Sequence, residues 1–355
     1  LTVVGPEQPL VKGIVDIFEE SGLRVFGPSQ RAAEIEGSKV LCKDLMKKYG
    51  IPTARYESFN SLDHVKLFTK EDEPVVVKAS GLASGKGVVL CRNGKEARSA
   101  IQSIMQGKVF GNAGDQVVIE EFLTGQEVSL LAFTDGKTIL PLESAQDHKA
   151  AFDDDKGPNT GGMGAYSPAP IFTDELKKKV VDDIMIPTVR AMAKEGRYYR
   201  GILYAGLMLT ESGPKVLEFN ARFGDPETQP IMMRIKNDIV PIFEACIDGT
   251  LATQTLQWKP ESTVCVVMAA KGYPGSYEKG NEITGLNLNE NQQAMVFHAG
   301  TKLDNGKVLT NGGRVLGVTA LGLNINQAIK NAYSVVDKIK WDGIHFRKDI
   351  GSKAN

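Results

Sequence analysis

A glycine-rich stretch that contains two lysines is the first segment whose residue types could bind a phosphate. It runs from Lys78 to Gly87 and reads Lys-Ala-Ser-Gly-Leu-Ala-Ser-Gly-Lys-Gly. Glycines allow backbone N–H groups to approach an anion, and Lys78 and Lys86 add positive charge. A Walker A motif is excluded, because Ser80 stands where that motif needs glycine and Gly87 where it needs serine or threonine. The pattern therefore favours a hairpin whose tip covers a polyphosphate, with a simple surface turn as the alternative.

Glu218 and Asn220, two positions apart in a predicted strand, are the second group that could do chemistry. Alternate residues of a strand point to one face, and a carboxylate and an amide oxygen together suit a hard cation such as Mg²⁺. Arg222 lies on the same side if the strand continues, where its guanidinium would suit a phosphate or a carboxylate. The alternative is a solvated polar face of an edge strand. Leu217 and Phe219 argue against it, because they give the strand a buried face.

Two acidic residues end the apolar strand that precedes Thr124-Gly125. Glu120 through Leu123 could form a hinge whose backbone groups hydrogen-bond the edge of an adenine. Glu127 could then accept hydrogen bonds from ribose hydroxyls. Taken alone, a strand end followed by surface acids is the simpler interpretation.

A fourth candidate combines the segment 146–149 (Gln-Asp-His-Lys) with the glycine-rich segment 157–166. Three glycines within four residues expose backbone N–H groups that can hold a carboxylate or a phosphate. A long flexible connection is the alternative. His148 alone would more often be structural than catalytic, and the acidic run 153–155 is interpreted as solvated rather than as a metal site.

Hydrophobic periodicity and turn residues predict the elements that must position these groups. Leu1–Val4 is predicted to be a buried strand, and a helix that starts near Pro9 carries an apolar stripe extending through Ile17. Ser38 is the predicted N-cap of a helix over Lys39–Tyr49. Strand and helix alternate in this part of the chain, which predicts a parallel sheet with right-handed crossovers.

Later segments read mainly as short strands around glycine turns. Strands are predicted at 74–78, 87–90, 117–121, 128–134, 203–210, 215–219 and 264–269, with a helix at 97–105. The pairs that turn at Asp135-Gly136 and at Ser212-Gly213 are predicted to be antiparallel. The fold class expected from this order is α/β, with parts that are α+β.

Composition excludes several classes of protein. The 355 residues include 42 Lys and Arg and 43 Asp and Glu, so the formal net charge of −1 argues against a general nucleic-acid or membrane-surface role. We predict no membrane span, because no run of about 18 apolar residues exists, and we see no signal peptide. Four widely spaced cysteines predict buried thiols in a reducing cytosol rather than zinc ligands or disulfides.

The four candidate groups occur in the order anion hairpin, hinge, substrate loop and metal strand, and this order resembles the ATP-grasp superfamily. Within it, the sequence is similar to the glycinamide ribonucleotide synthetase (phosphoribosylamine–glycine ligase) family. The resemblance extends from Leu1 to about Gly351. It is carried by residues 4–7, 36–39, 81–83, 146–149, 157–166, 218–229, 272–275, 298–301 and 311–315.

The resemblance implies a domain order and a reaction. The expected parts are an apparently incomplete parallel α/β domain with a linker helix (1–55), an ATP-grasp lid (56–125), a central part with the metal site (126–255) and a small β-rich C-terminal domain (256–355). The family joins glycine to 5-phosphoribosylamine through a glycyl phosphate, using ATP, in purine synthesis. We therefore expect a cytoplasmic monomer that acts on these small molecules. The alternatives are another ATP-grasp ligase, such as a carboxylase relative, and a nucleotide-binding protein that has lost catalysis.

The resemblance also assigns roles to individual residues. Lys39 and Lys78 are expected to contact ATP phosphates. The loop over the phosphates comprises Ser80, Gly81, Ser84, Gly85, Lys86 and Gly87. The adenine and ribose are expected to meet Glu120, Glu121, Phe122, Leu123 and Glu127. Glu218 and Asn220 are expected to hold Mg²⁺ or Mn²⁺ as its only protein ligands. The expected catalytic contacts come from Arg222, Lys78, Asn159 and Gly162. The expected substrate-binding residues are Glu7, Pro9, Asp147, His148, Lys149, Thr160, Gly161, Gly164 and Asp225.

Three positions depart from the family pattern, which usually has Asp at Ser80, Ala at Ser84 and Arg at Ala150. These departures affect rate or affinity rather than the type of reaction. The family also has a further strand and a glycine-rich turn before the equivalent of Leu1. We therefore expect the protein to be longer than 355 residues, with that segment helping to hold phosphoribosylamine.

Overall fold

A computed structural model describes residues 1–61, 72–83, 86–286 and 293–354 of the chain. The described helices are α1 (Glu7–Val11), α2 (Ile14–Glu20), α3 (Gln30–Gly37), α4 (Lys39–Tyr49), α5 (Gly94–Met105), α6 (Asp174–Val180), α7 (Ile186–Lys194), α8 (Thr228–Arg234), α9 (Val240–Asp248) and α10 (Ile325–Val336). A π-helical segment over Val181–Met185 joins α6 to α7. Across the ranges just given, each helix is too short or too polar to cross a membrane.

The described strands are β1 (Thr2–Val3), β2 (Val25–Phe26), β3 (Tyr56–Phe59), β4 (Val75–Ala79), β5 (Val88–Cys91), β6 (Val117–Glu121), β7 (Gln126–Thr134), β8 (Ile139–Pro141), β9 (Gln146–Asp147), β10 (Ala150–Phe152), β11 (Lys156–Asn159), β12 (Gly164–Ser167), β13 (Gly201–Thr210), β14 (Gly213–Asn220), β15 (Ser262–Ala270), β16 (Ala294–His298), β17 (Thr301–Asp304), β18 (Lys307–Thr310), β19 (Arg314–Gly322) and β20 (Ile344–His345). The chain divides into two compact units. The first comprises Leu1–Leu142, Thr173–Phe223 and Asp238–Thr255, and the second comprises Glu143–Phe172, Gly224–Asn237 and Leu256–Asn355.

The N-terminal segment of the first unit differs from two predictions. β1 pairs in parallel with β2, as the strand–helix order predicts, but Val3 is 40% exposed, so the prediction of a buried strand is wrong there. The predicted single helix is two helices, because Gly13 takes a φ of 85°, which ends α1 and starts α2. Val15 is buried and Ile17 is exposed, which moves the apolar face of α2 away from the predicted stripe.

Helix α4 has the bounds that the sequence predicts. The Ser38 side chain accepts a hydrogen bond from the Leu41 N–H at 3.3 Å, which satisfies one donor of the first turn. Gly50, with a φ of 68°, terminates the helix in the left-handed conformation. The inward face of α4 buries Leu45, Met46 and, unexpectedly, a lysine at position 43.

An antiparallel sheet in the order β3-β6-β4-β5 packs against α5. Its core includes Val77, Ile101, Ile104, Val117 and Ile119, all of which are almost fully buried. Removing this much apolar surface from water is the main stabilising contribution here. The predicted strands and helix of this region are confirmed, with boundaries shifted by one to three residues.

A second antiparallel sheet of the first unit has the order β14-β13-β7-β8. Gly206 of β13 pairs with Glu218, while the next residue, Leu207, pairs with Val216. Leu217 is therefore the extra residue of a β-bulge, which locally redirects its backbone groups. The antiparallel pairings predicted around Ser212-Gly213 and Asp135-Gly136 are confirmed.

The second unit is built on a sheet in the order β16-β19-β15-β12-β9, with β20 paired to β15. The guanidinium of Arg347, whose side chain is 1% exposed, pairs with Asp349 at 2.6 Å and with Asp155 at 3.0 Å. Burial alone would raise the pKa of Asp349, but Arg347 and the Asp154 N–H hold it well below its ordinary value. The acidic run 153–155 is therefore partly tied into ion pairs, rather than simply solvated as the sequence suggests. All four cysteines are buried and free, as predicted.

Candidate active site

Three buried charged side chains form the centre of the candidate nucleotide site in the first unit. The Glu120 carboxylate lies 3.0 Å from the Lys43 ammonium and 2.9 Å from the Lys78 ammonium. Each of the three side chains is at most 6% exposed. Lys43 comes from α4, Lys78 from β4 and Glu120 from β6, so the cluster forms only when the helix packs against the sheet that contains β4 and β6.

Lys39 and Lys78, both predicted to contact phosphates, are held by backbone carbonyls. The Lys78 ammonium donates to the Leu217 carbonyl at 3.0 Å, and the Lys39 ammonium donates to the Gly81 carbonyl at 3.2 Å. Burial lowers the pKa of Lys39, while Glu218 opposes that shift and Lys78 adds to it. The two lysines and Glu218 are therefore close enough to interact electrostatically.

The first residues of the predicted phosphate loop are tied down. Ser80 is buried, its carbonyl accepts from the Lys39 N–H at 2.8 Å, and its hydroxyl accepts from the Val40 N–H at 3.3 Å. The Gly81 N–H donates to the Ala113 carbonyl. Hydrogen bonds therefore hold the start of this loop. Gly87 pairs back to Ala79 and the Lys86 N–H donates to Ala83, whereas Ser84 and Gly85 lie outside the described residues.

One residue of the predicted adenine hinge, Glu121, contacts other elements of the first unit. The Glu121 N–H donates to the Arg55 carbonyl at 2.9 Å, and the Glu121 carboxylate accepts from the Arg55 N–H and pairs with the side chains of Arg55 and Lys215. Burial alone would raise the pKa of Glu121, but these contacts of its carboxylate lower it to about 2. The side chain of Glu120 belongs to the lysine cluster. Phe122 and Leu123 follow the end of the strand and remain the candidates for backbone contact with adenine, with Glu127 at the start of β7 as the ribose candidate.

The predicted metal strand ends in a second charged cluster. Arg222 lies 3.0 Å from the Glu36 carboxylate, 3.4 Å from that of Glu7 and 3.4 Å from the Asn220 side-chain oxygen. β14 ends at Asn220, so Arg222 reaches the cluster from the following bend rather than from a continued strand. The other Glu36 oxygen accepts from the Ala221 N–H at 2.7 Å. Burial raises the pKa of Glu36 to about 7, although Arg222 lowers it.

The donor set on β14 fits a hard divalent cation. Glu218 and Asn220 offer one carboxylate and one amide oxygen, and Mg²⁺ commonly takes few protein ligands because it keeps its waters. No cluster of three or more His, Cys, Asp or Glu ligands occurs among the residues that the structure describes.

The second unit brings the two predicted substrate motifs together. The His148 N–H donates to the Gly164 carbonyl at 2.9 Å, and the Thr160 N–H donates to the Lys149 carbonyl at 2.8 Å. His148 is fully buried, and burial lowers the pKa of its ring to about 4, so it is neutral at pH 7. Asp147, beside it, pairs with Ala165 of β12, and Asn159 at the end of β11 pairs with Ala150.

Arg314 fixes the glycine-rich loop of this unit. Its guanidinium donates to the Gly161 carbonyl at 2.8 Å, to the Asp225 carbonyl at 2.7 Å and to the Asp225 carboxylate at 3.0 Å. Gly162 has a φ of 114°, and a Cβ there would lie 2.4 Å from Pro226, so only glycine fits. The loop is therefore an ordered structure rather than a loose connection.

Sequence reasoning missed three residues of these clusters: Lys43, Glu36 and Arg314. Lys43 lies four residues after Lys39 on α4, so the two share a helix face, and that spacing could have indicated it. Glu36 and Arg314 stand within segments of the family resemblance but carried no separate chemical signal. Pro9 lies within α1, where it contributes to a shallow pocket with Gln8 and Lys12.

Comparison with solved structures defines the class of protein. The biotin carboxylase–β-γ-ATP complex from Campylobacter jejuni is similar with a TM-score of 0.77 at 14% identity, covering 98% of this chain and 77% of that chain. At that identity the likeness shows the fold alone. Residues 37–228 match the family model described as the phosphoribosylglycinamide synthetase ATP-grasp (A) domain, so the chain has the ATP-grasp fold.

The N-domain and C-domain models of the same family match residues 1–36 and 263–353. Phosphoribosylamine–glycine ligase from Halalkalibacterium halodurans is 54% identical over 355 residues, which are 100% of this chain and 82% of that protein. The Salmonella typhimurium ligase of the same name is 51% identical over 357 residues, which cover 100% of this chain and 83% of that protein. The crystal structure of the Thermotoga maritima ligase has a TM-score of 0.84 at 38% identity, covering 92% of this chain and 81% of that chain. The chain belongs to the phosphoribosylglycinamide synthetase family, and the predicted family, fold and ligase class are confirmed.

Proposed function

We propose that this chain catalyses the ATP-dependent joining of glycine to 5-phosphoribosylamine, giving glycinamide ribonucleotide, ADP and phosphate. The observation that carries the proposal is the similarity of the whole chain to ligases of that name. The buried lysines next to an oxygen-donor strand support it, because phosphoryl transfer needs positive charge and hard-cation ligands in one place. We further propose that the protein acts as a monomer in the cytosol.

The proposed chemistry has two steps. A glycine carboxylate oxygen attacks the γ-phosphorus of ATP, and the bond from that phosphorus to the bridging oxygen breaks, which releases ADP and leaves glycyl phosphate. The amine of phosphoribosylamine then attacks the carbonyl carbon, loses a proton, and displaces phosphate. In both steps the protein must bring anions together, so neutralising charge and positioning the reactants supply most of the catalysis.

Lys39 and Lys78 are proposed to neutralise the phosphates, since carbonyls hold both ammonium groups in fixed directions. Lys78 is buried and Lys39 is half-buried. Glu218 and Asn220 would hold Mg²⁺ or Mn²⁺, which when bound supplies further positive charge on the phosphate oxygens. Arg222 is proposed to meet the reacting carboxylate. The Glu36 and Glu7 carboxylates orient its guanidinium, and they also limit the net positive charge there.

Residues of the second unit are proposed to bind the substrates through backbone groups and through Lys149. The candidates are Asn159, Thr160, Gly161, Gly162 and Gly164, together with Asp147 and Asp225. His148 is neutral and buried, so we assign it a structural part in shaping this loop. A neutral ring does not add charge beside a substrate anion.

The test is formation of ADP in the presence of ATP, Mg²⁺, glycine and 5-phosphoribosylamine, with each substrate omitted in turn. We expect turnover only when both are present, and glycinamide ribonucleotide in an amount equal to ADP. Lys78→Met should abolish turnover. The matched control is Lys95→Met on the exposed side of α5, which should leave it unchanged. Equal ADP formation without glycine, or with bicarbonate in its place, would contradict the proposal.

A further inference from the structure

Lys43 is a buried lysine for which the proposed reaction has no direct use. Its side chain is 3% exposed, and its ammonium lies 3.0 Å from the Glu120 carboxylate and 2.7 Å from the Thr53 hydroxyl oxygen. The Thr53 hydroxyl donates its proton to the Val216 carbonyl at 2.6 Å, so towards Lys43 it acts only as an acceptor. All the polar partners named here therefore accept from Lys43, which favours its charged form and opposes the burial that lowers its pKa.

The Glu120 carboxylate is shared between two cations. One oxygen faces Lys43 and the other faces Lys78, so the three buried groups together carry a formal charge of +1. Lys39 and Glu218, which also interact with this region, add charges of opposite sign and leave that balance unchanged. Without Lys43, Glu120 would cancel the charge of Lys78 and the buried cluster would be neutral.

Lys78 is directed by the β-bulge at Leu217. The extra residue turns its carbonyl to the Lys78 ammonium at 3.0 Å, and the ammonium also lies 2.9 Å from the Glu120 carboxylate as an ion pair. An ammonium group has three N–H bonds, and the one that is donated to the Leu217 carbonyl sets its direction. The ammonium group can direct another N–H bond to a phosphate oxygen.

We propose that Lys43 is a positioning residue that sets the affinity for nucleotide polyphosphates: it neutralises Glu120 so that the charge of Lys78 acts on the phosphates. The proposal rests on the proposed function, because it takes ATP as the ligand of this cluster. The two buried lysines then have different roles, because Lys43 neutralises the Glu120 carboxylate and Lys78 contacts the phosphates. A carboxylate left uncompensated next to Lys78 would repel each phosphate that Lys78 attracts.

The experiment measures equilibrium binding of ATP, ADP, AMP and adenosine by calorimetry without divalent cations, glycine or phosphoribosylamine. ATP binding by the unaltered protein is also measured with Mg²⁺. Lys43→Met keeps the length of the side chain and removes its charge. We expect the ratio of the AMP to the ATP dissociation constant to fall by at least about tenfold. One charge at roughly 10 Å and an effective dielectric constant near 20 changes affinity by more than about tenfold for each additional charge, and ATP carries about two more charges than AMP. Adenosine affinity should change by less than about twofold, because adenosine carries no charge.

Two further variants complete the test. Glu120→Gln should raise the same ratio, because the cluster then carries +2, and Lys43→Met/Glu120→Gln should return it to the unaltered value. Any change in adenine contact affects AMP and ATP equally and therefore cancels in the ratio. Glu120→Gln and the double variant still test the proposal if Lys43→Met alone does not fold. The matched control is Lys47→Met on the exposed face of α4, where solvent screens the charge and the ratio should stay within about twofold.

A purely structural role for Lys43 gives a different result. Lys43→Met would then weaken all four ligands equally, including adenosine, and Glu120→Gln would not shift the ratio. Either outcome, with ATP binding by the unaltered protein intact, overturns the role of Lys43 and leaves the proposed function standing. Absence of ATP binding by the unaltered protein would overturn both.

Discussion

Glu36→Gln should flatten the pH dependence of stability between pH 4.5 and pH 7. Glu36 lies in the last turn of α3. Its buried carboxyl group accepts a hydrogen bond from the Ala221 N–H and faces Arg222. Burial raises its pKa from the ordinary 4.5 to about 7, with Glu7 and Glu218 adding to the rise and Arg222 opposing it. Glutamine keeps the shape and an oxygen acceptor but cannot ionise.

The direction of this pH dependence follows from the number of protons that the folded and the unfolded protein bind. Between the two pKa values the folded protein keeps a proton on Glu36 that the unfolded chain has already lost, so the free energy of unfolding falls as pH rises. The contribution is fully present below pH 4.5 and is lost as pH rises through about 7. One pKa unit corresponds to about 1.36 kcal/mol, so the raised pKa of Glu36 corresponds to about 3 kcal/mol of unfolding free energy.

Urea unfolding at pH 4.5, 6 and 8 tests this prediction. The unaltered protein should lose about 3 kcal/mol more than Glu36→Gln over that range. The matched control is Glu34→Gln on the same helix, where the carboxylate is 40% exposed and pairs with Arg197. That control should keep the pH dependence of the unaltered protein. Parallel pH profiles for Glu36→Gln and the unaltered protein would refute the assignment of the raised pKa to burial of Glu36.

Three further predictions concern the metal strand and the second unit. Glu218→Gln should lower turnover by at least about a hundredfold and leave the unfolding midpoint unchanged. Mg²⁺ should bind weakly to the protein without nucleotide, because one carboxylate supplies the only formal charge of the site. Near-normal turnover of Glu218→Gln would contradict the two-ligand site. Arg347→Met should lower the free energy of unfolding by about 3–5 kcal/mol, because it leaves the Asp349 and Asp155 carboxylates without their buried cation. Urea titration measures the free energy of unfolding, and a loss below about 1 kcal/mol would count against this prediction. Arg314→Lys should lower kcat/KM for glycine by about tenfold with little change in the midpoint of thermal unfolding, because a lysine cannot bridge Gly161 and Asp225. Steady-state kinetics measures the first quantity and thermal unfolding the second.

Local features of the chain were predictable because they depend on neighbouring residues. Ser38 and Gly50 define the ends of α4, since a side-chain cap and a left-handed glycine act within one turn. Continuous runs of mainly apolar residues located β6 and β13 for the same reason. Gly13 shows the limit of this reasoning, because its positive φ divided a predicted helix that periodicity alone treats as continuous.

The order of the motifs was sufficient to predict the family and the ATP-grasp fold, since each motif keeps its residue types and spacing along the chain. The partners of the buried charges were not predictable in that way. Glu36 and Ala221 are 185 residues apart in sequence, and Lys43 meets Glu120 only where α4 packs on the sheet that contains β6. A lysine or glutamate in a helix gives no sign of whether it will be solvated or buried, because that depends on which distant surface covers it. The sequence thus determined which groups could bind a nucleotide and a metal, and tertiary packing decided which carboxylate compensates which cation.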